Sequence, residues 1–95
     1  MHITSIKMEK TEDNARQLAD VSIVIDDELL IKNIKLINNG KRLFVAFPQS
    51  KKKPLGENEP DVIPLYPYVR DYIEEQIINE YLQRSEQWGK EREEE

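Results

Sequence analysis

The 95-residue chain has no cysteine, a single histidine, a single tryptophan and only three glycines, and these scarcities remove whole classes of function. Without cysteine there is no disulfide, no thiolate metal site and no thiol nucleophile. One histidine, His2, builds neither a zinc cluster nor much acid–base machinery. Ser50 has no histidine in its sequence context, so a nucleophilic triad is not credible. No segment approaches the roughly 18 apolar residues of a membrane span. The start, Met1-His2-Ile3-Thr4-Ser5-Ile6, lacks a basic region leading into an apolar stretch. The expectation is a cytoplasmic protein with no catalytic residues, no cofactor, no metal and no small-molecule substrate.

What the chain does have is charge, unevenly placed. Fourteen basic residues face nineteen acidic ones, for a net charge of -5. Against that average, the stretch from Asn39 to Lys53 contains Lys41, Arg42, Lys51, Lys52 and Lys53 and no acid at all. A local positive field follows, which a polyanion can use even on an acidic protein, because phosphate attraction acts mainly within a Debye length of roughly 8 Å. Asp26-Asp27-Glu28 is the only tight acidic triplet before the tail. Its spacing lacks the alternating ligands of a calcium loop, and it reads as a solvated turn.

The length fits one domain, and a chain this short buries only about 60% of its unfolded surface, so the core must be thin. Ile3 to Lys10 predicts a first strand, followed by a polar turn at Thr11-Glu12-Asp13-Asn14. Ala19, Val21, Ile23 and Ile25 then alternate with Asp20, Ser22 and Asp26, which predicts a strand with one core face. Leu29 to Ile37 is also β-rich, but its apolar residues fall on both faces, as in a central strand or one covered by a partner subunit. Asn38-Asn39-Gly40 signals a hairpin with two consecutive positive-φ residues, and Leu43 to Phe47 is the strand that follows, ending at Pro48.

Pro48 to Pro64 shows neither strand nor helix period, and a loop that long is usually functional or mobile. After Pro67 the apolar positions Val69, Ile73, Ile77 and Tyr81 recur every four residues, predicting an amphipathic helix packed on the sheet. Past Leu82 the pattern thins into a charged segment with little apolar surface. The fold expected is α+β: a small twisted antiparallel sheet of four to five strands with a C-terminal amphipathic helix. Its domain spans residues 1–84, with a charged, frayed tail over 85–95.

Each candidate site has a plainer alternative. Lys51, Lys52 and Lys53, with Lys41 and Arg42 at the other end of the strand, can engage several phosphates as point charges. Lysines also keep an exposed strand edge soluble, but five basic residues without an acid exceed what that needs. Arg70, in the first turn of the helix, can add a bidentate phosphate contact, although Glu74 four residues on is its natural surface partner. Tyr66, Tyr68 and Tyr72 can stack on bases, yet aromatics near a helix start more often pack. Trp88 is either a partner anchor or a cap on the end of the helix.

Three segments in order, Ser22-Ile23-Val24-Ile25-Asp26-Asp27-Glu28-Leu29, Asn33-Ile34-Lys35-Leu36-Ile37 and Leu43-Phe44-Val45-Ala46-Phe47-Pro48, resemble the stage V sporulation protein G family. Ser50-Lys51-Lys52-Lys53-Pro54-Leu55-Gly56-Glu57 is similar to that family's basic loop, and Pro64, Arg70, Ile73, Glu80 and Tyr81 fit its later positions. The resemblance runs from about Met1 to Arg84. It implies a bacterial regulator of septation and sporulation-type programmes that binds DNA or RNA, dimerises through strand pairing and is not an enzyme. The positions it carries over for nucleic acid are Lys51, Lys52 and Arg70; Lys53 is basic here but outside the family pattern. The chain departs from that pattern at Gln49, Phe47, Ile63 and Asp71-Tyr72, the last of which removes positive charge beside Arg70. The competing reading is a protein-interaction module that recruits division or regulatory partners without touching nucleic acid.

Overall fold

A computed structural model describes residues 1–11, 16–49 and 60–93, the last seven of these by their backbone alone. Four strands, β1 (Ile3–Lys10), β2 (Gln17–Ile25), β3 (Leu29–Asn38) and β4 (Leu43–Ala46), precede one helix, α1 (Pro67–Glu93). The strands form an antiparallel meander in the order β1-β2-β3-β4, so the α+β arrangement expected from the sequence is the one observed. The helix runs on to Glu93, across the boundary expected at residue 84. None of the described helices is long and apolar enough to cross a membrane.

Alternation in β2 translates directly into burial. Ala19, Val21 and Ile23 are inaccessible or nearly so, and they pack with Met8, Ile34, Leu36, Val45 and Phe47 against Ile73 and Ile77 of α1. The four-residue repeat of the helix supplies that face: Ile73 and Ile77 are buried, with Val69 and Tyr81 half-buried at either side. Pro67 occupies the first helical position, where its missing N–H costs nothing, and the carbonyl of Tyr66 accepts from the N–H groups of Val69 and Arg70. The helix contacts both outer strands, β1 and β4, so it lies across the sheet.

The two-sided apolarity of β3 has an internal cause. Val21 pairs with Ile34 and Ile23 with Ile31, so the single residue Ser22 on β2 stands opposite two, Lys32 and Asn33, on β3. The extra residue makes a bulge at Asn33, whose φ of 64° is the left-handed conformation that asparagine tolerates better than most. Side chains change face there: Ile31, partly buried, shares the core side with Ile34 and Leu36, while Ile37 lies outside the core cluster. Leu30 remains an exposed apolar side chain on this strand.

The turns also exchange roles. Two consecutive positive-φ residues occur at Asp26 (53°) and Asp27 (55°), closed by a 2.9 Å bond from Glu28 N–H to the Ile25 carbonyl. At Asn39-Gly40 only the glycine is positive, at 92°. The Asn-Gly signal therefore marks a longer connection held by asparagine side chains rather than a two-residue turn. The acidic turn is structural: Asp26 Oδ1 accepts from the His2 N–H at 3.1 Å, and the Thr4 hydroxyl accepts from the Asp27 N–H at 3.1 Å. Among the described residues no three His, Asp or Glu side chains converge as a metal site would require.

Candidate nucleic-acid interface

Charge and geometry converge at the outer edge of β4. In the β3–β4 connection, Asn38 Oδ1 accepts from Gly40 N–H at 2.9 Å, and Asn39 Oδ1 accepts from Lys41 N–H at 2.9 Å and Arg42 N–H at 3.0 Å. These bonds fix the backbone from which Lys41 and Arg42 project. The Arg42 guanidinium then reaches α1, where its Nη2 donates to Glu74 Oε1 at 2.9 Å, while its Nε lies 3.4 Å from the Leu43 carbonyl.

Arg70 arrives at the same carboxylate from the helix. Its Nη2 stands 3.2 Å from Glu74 Oε2 and donates to the Val45 carbonyl of β4 at 3.0 Å. Its guanidinium carbon also lies 5.5 Å from the centre of the Phe47 ring. The helical partner expected from spacing is thus present, joined by a second arginine that sequence proximity does not show. Glu74 is the one buried charged residue among those described, at 7% exposure. Its Oε2 receives no aligned N–H. The 3.2 Å approach of Arg70 compensates its charge but supplies no directed bond.

Two guanidinium groups against one carboxylate leave a positive surplus, to which the exposed Lys41 adds. Both arginine side chains keep much of their surface in water, 64% for Arg42 and 44% for Arg70, so N–H groups remain for a further acceptor. Together with Asn39 and Phe44 they line a surface hollow of about 280 Å³. A neighbouring hollow of about 400 Å³ is lined by Asn33, Lys35, Ala46, Phe47 and Gln49. Lys35 pairs in register with Ala46 and therefore stands on the open face of the sheet next to this edge.

Of the residues singled out in the sequence, Lys41, Arg42 and Arg70 are gathered at this edge, whereas Lys51, Lys52 and Lys53 lie outside the described residues. The loop that carries them follows Gln49, past the other end of β4 from Lys41 and Arg42, and the Asp61 N–H donates to the Pro48 carbonyl at 2.7 Å. Lys35, Asn39 and Phe44 read in the sequence only as strand and turn residues, not as site residues. The bulge disguises the face of Lys35, and nothing in the spacing links Phe44 to Arg70.

The tyrosines separate into two roles. The Tyr72 hydroxyl accepts from the Ile3 N–H at 3.0 Å, tying the helix to the start of β1. Tyr66 and Tyr68 are exposed and stack on each other, ring centres 5.6 Å apart and 14° from parallel. The side chain of Trp88 lies outside the described part.

A model of the SpoVG family matches residues 1–83. A relative from Agathobacter rectalis, named "Putative septation protein SpoVG", is 38% identical over 81 residues, covering 85% of this chain and 92% of its own length. Proteins of the same name from Caldanaerobacter subterraneus subsp. tengcongensis and Bacillus pumilus are 34% and 31% identical over 86 and 87 residues. These alignments cover 90% and 92% of this chain, and 93% and 88% of the relatives. With nearly its whole length matched by the family and by such relatives, the chain belongs to the SpoVG family.

Proposed function

We propose that this protein is a non-catalytic, homodimeric nucleic-acid-binding regulator of septation and sporulation-type programmes, acting in the cytoplasm. The names of its relatives support the septation role. Support for a polyanion partner comes chiefly from one observation: Arg42 and Arg70, from different elements, share a single carboxylate at the β4 edge and leave a positive surplus beside Lys41. Lys51, Lys52 and Lys53 add basic residues in the sequence that follows Pro48, and Lys35 flanks the edge. Lysine supplies point charge and arginine directed N–H pairs, so the loop contributes attraction and the edge contributes orientation.

If phosphate contacts drive binding, log affinity falls with log salt at about 0.9 per phosphate engaged on duplex. The test is a mobility-shift titration at several salt concentrations with the parent and with Lys51→Ala/Lys52→Ala. The double variant should bind more weakly and with a shallower salt slope; unchanged affinity would remove the loop from the interface.

Dimerisation through strand pairing is a separate part of the proposal, and it faces a condition. The outward carbonyls of Ile6 and Met8 on β1 accept from Arg84, at 3.2 and 3.5 Å, and that of Val45 on β4 accepts from Arg70. A second copy pairing at these positions must displace an arginine.

A second reading rests on the exposed Ile63, Leu65, Tyr66 and Tyr68 beside the helix start. Such a patch suits a protein partner. A pull-down that survives moderate salt, depends on these side chains and carries no nucleic acid would favour recruitment of division proteins.

A further inference from the structure

Glu74 occupies the two arginines that a phosphate would use. It is buried, its Oε1 is bonded to Arg42, and its Oε2 lies beside Arg70 without a directed hydrogen bond. Arg70 has a second anchor, the Val45 carbonyl, and keeps it whatever Glu74 does. Among the described residues, Arg42 has besides Glu74 only the weak 3.4 Å contact of its Nε with the adjoining Leu43 carbonyl. The arginine that is free to change partners is therefore Arg42, the more exposed of the two.

We propose that Glu74 is an internal competitor for the nucleic-acid phosphate: binding at the β4 edge moves the Arg42 guanidinium from the Glu74 carboxylate to a backbone phosphate, while Arg70 stays on Val45 and neutralises the carboxylate left behind. The proposal rests on the nucleic-acid reading and adds to it a built-in restraint on affinity. The physical basis is charge. A carboxylate a few ångström from the bound phosphate repels it, and it takes an N–H pair that the phosphate would otherwise receive. The misaligned Oε2 makes the exchange easier, because Glu74 holds the pair of arginines with one directed bond rather than two.

The experiment is a salt-dependent binding titration of the full chain against duplex DNA and single-stranded RNA oligonucleotides, with the parent, Glu74→Gln, Glu75→Gln and Arg42→Gln/Glu74→Gln. Glutamine keeps the size and an acceptor for Arg42 but removes the repelling charge. Glu74→Gln should bind about five- to tenfold more tightly at low salt, with a slope on duplex close to the parent's, because Arg42 engages the same phosphate in both and only the competing carboxylate is gone. Glu75→Gln adds the same net charge at an exposed position and should change affinity less than twofold. Arg42→Gln/Glu74→Gln should lose the gain. Equal gains from the two single variants, or no gain from Glu74→Gln while the parent binds, would overturn the competitor role and leave the nucleic-acid reading standing. Absence of binding by every variant would overturn both.

Should Glu74→Gln fail to fold, the parent alone still decides. The Nε–Hε resonance of Arg42 should shift on saturation with oligonucleotide while that of Arg84, on the opposite edge, stays in place. An unmoved Arg42 signal in a saturated complex contradicts the exchange.

Discussion

The two edges of the sheet are treated alike by the helix up to a point, and the point where they diverge is informative. At β1, Arg84 caps the Ile6 and Met8 carbonyls and pairs with Glu80, one turn back, at 2.7 Å. At β4, Arg70 caps the Val45 carbonyl and pairs with Glu74, one turn on. One arginine and one glutamate per edge are enough to cover the open carbonyls of a strand. The β4 edge has a second arginine on the same carboxylate, with Lys41 and Lys35 close by. On β1, Lys7 has its own acidic partner in Glu9, whereas the two arginines of the β4 edge share one carboxylate, and that asymmetry is what supports the proposed interface at β4.

The comparison can be broken most severely from the middle. Ile77 is fully buried and lies seven residues from each of the two capping arginines. Ile77→Ala should cost about 2–5 kcal/mol in urea or thermal unfolding, loosening both edges together. If the variant kept parental stability, the helix would not be what holds the edges closed.

Arg84→Ala separates the edges. It should lose about 1–3 kcal/mol by leaving the carbonyls of β1 and Glu80 without their donor. Nucleic-acid affinity should be unchanged and self-association, read by sedimentation, should increase, because the β1 edge is then open for pairing. Arg70→Ala is expected to show the reverse emphasis: a smaller stability loss of about 1 kcal/mol and a clear loss of affinity. Matching losses of affinity in both variants would erase the distinction between the edges.

Gly40→Ala gives the smallest expected effect. No atom lies within 4 Å of the added methyl group, so only the 92° φ resists it, at roughly 1 kcal/mol. The consequence should be local, with Arg42 less well placed and binding reduced only slightly.

Much of this architecture can be read from the chain. The alternation of Ala19, Val21, Ile23 and Ile25 names the core face of β2, and the spacing of Val69, Ile73, Ile77 and Tyr81 names the buried stripe of α1, because burial selects apolar side chains at the period of the element. The Arg70–Glu74 pair follows from helical spacing. What spacing cannot give is the arrival of Arg42 at Glu74, thirty-two residues away, since that depends on how the helix crosses the sheet. Nor does it show which Asx-rich segment will hold two left-handed residues: Asp26-Asp27 does so through bonds to His2 and Thr4 on another strand, and Asn39-Gly40 does not. Lys51, Lys52 and Lys53 lie outside the described residues, and their basic run is legible only in the sequence.

Asn33 has a consequence that reaches past the core. A strand keeps two sets of positions in opposite phase, odd against even, and a single inserted residue exchanges them for everything downstream. Were β3 to continue in its initial phase, Lys35 would point beneath the helix and Ile34 and Leu36 into solvent. The phase change at Asn33 returns both isoleucine and leucine to the interior and, by the same step, sends Lys35 to the open face beside β4. One left-handed asparagine thus sets, at once, which side of the strand is apolar and which side carries positive charge.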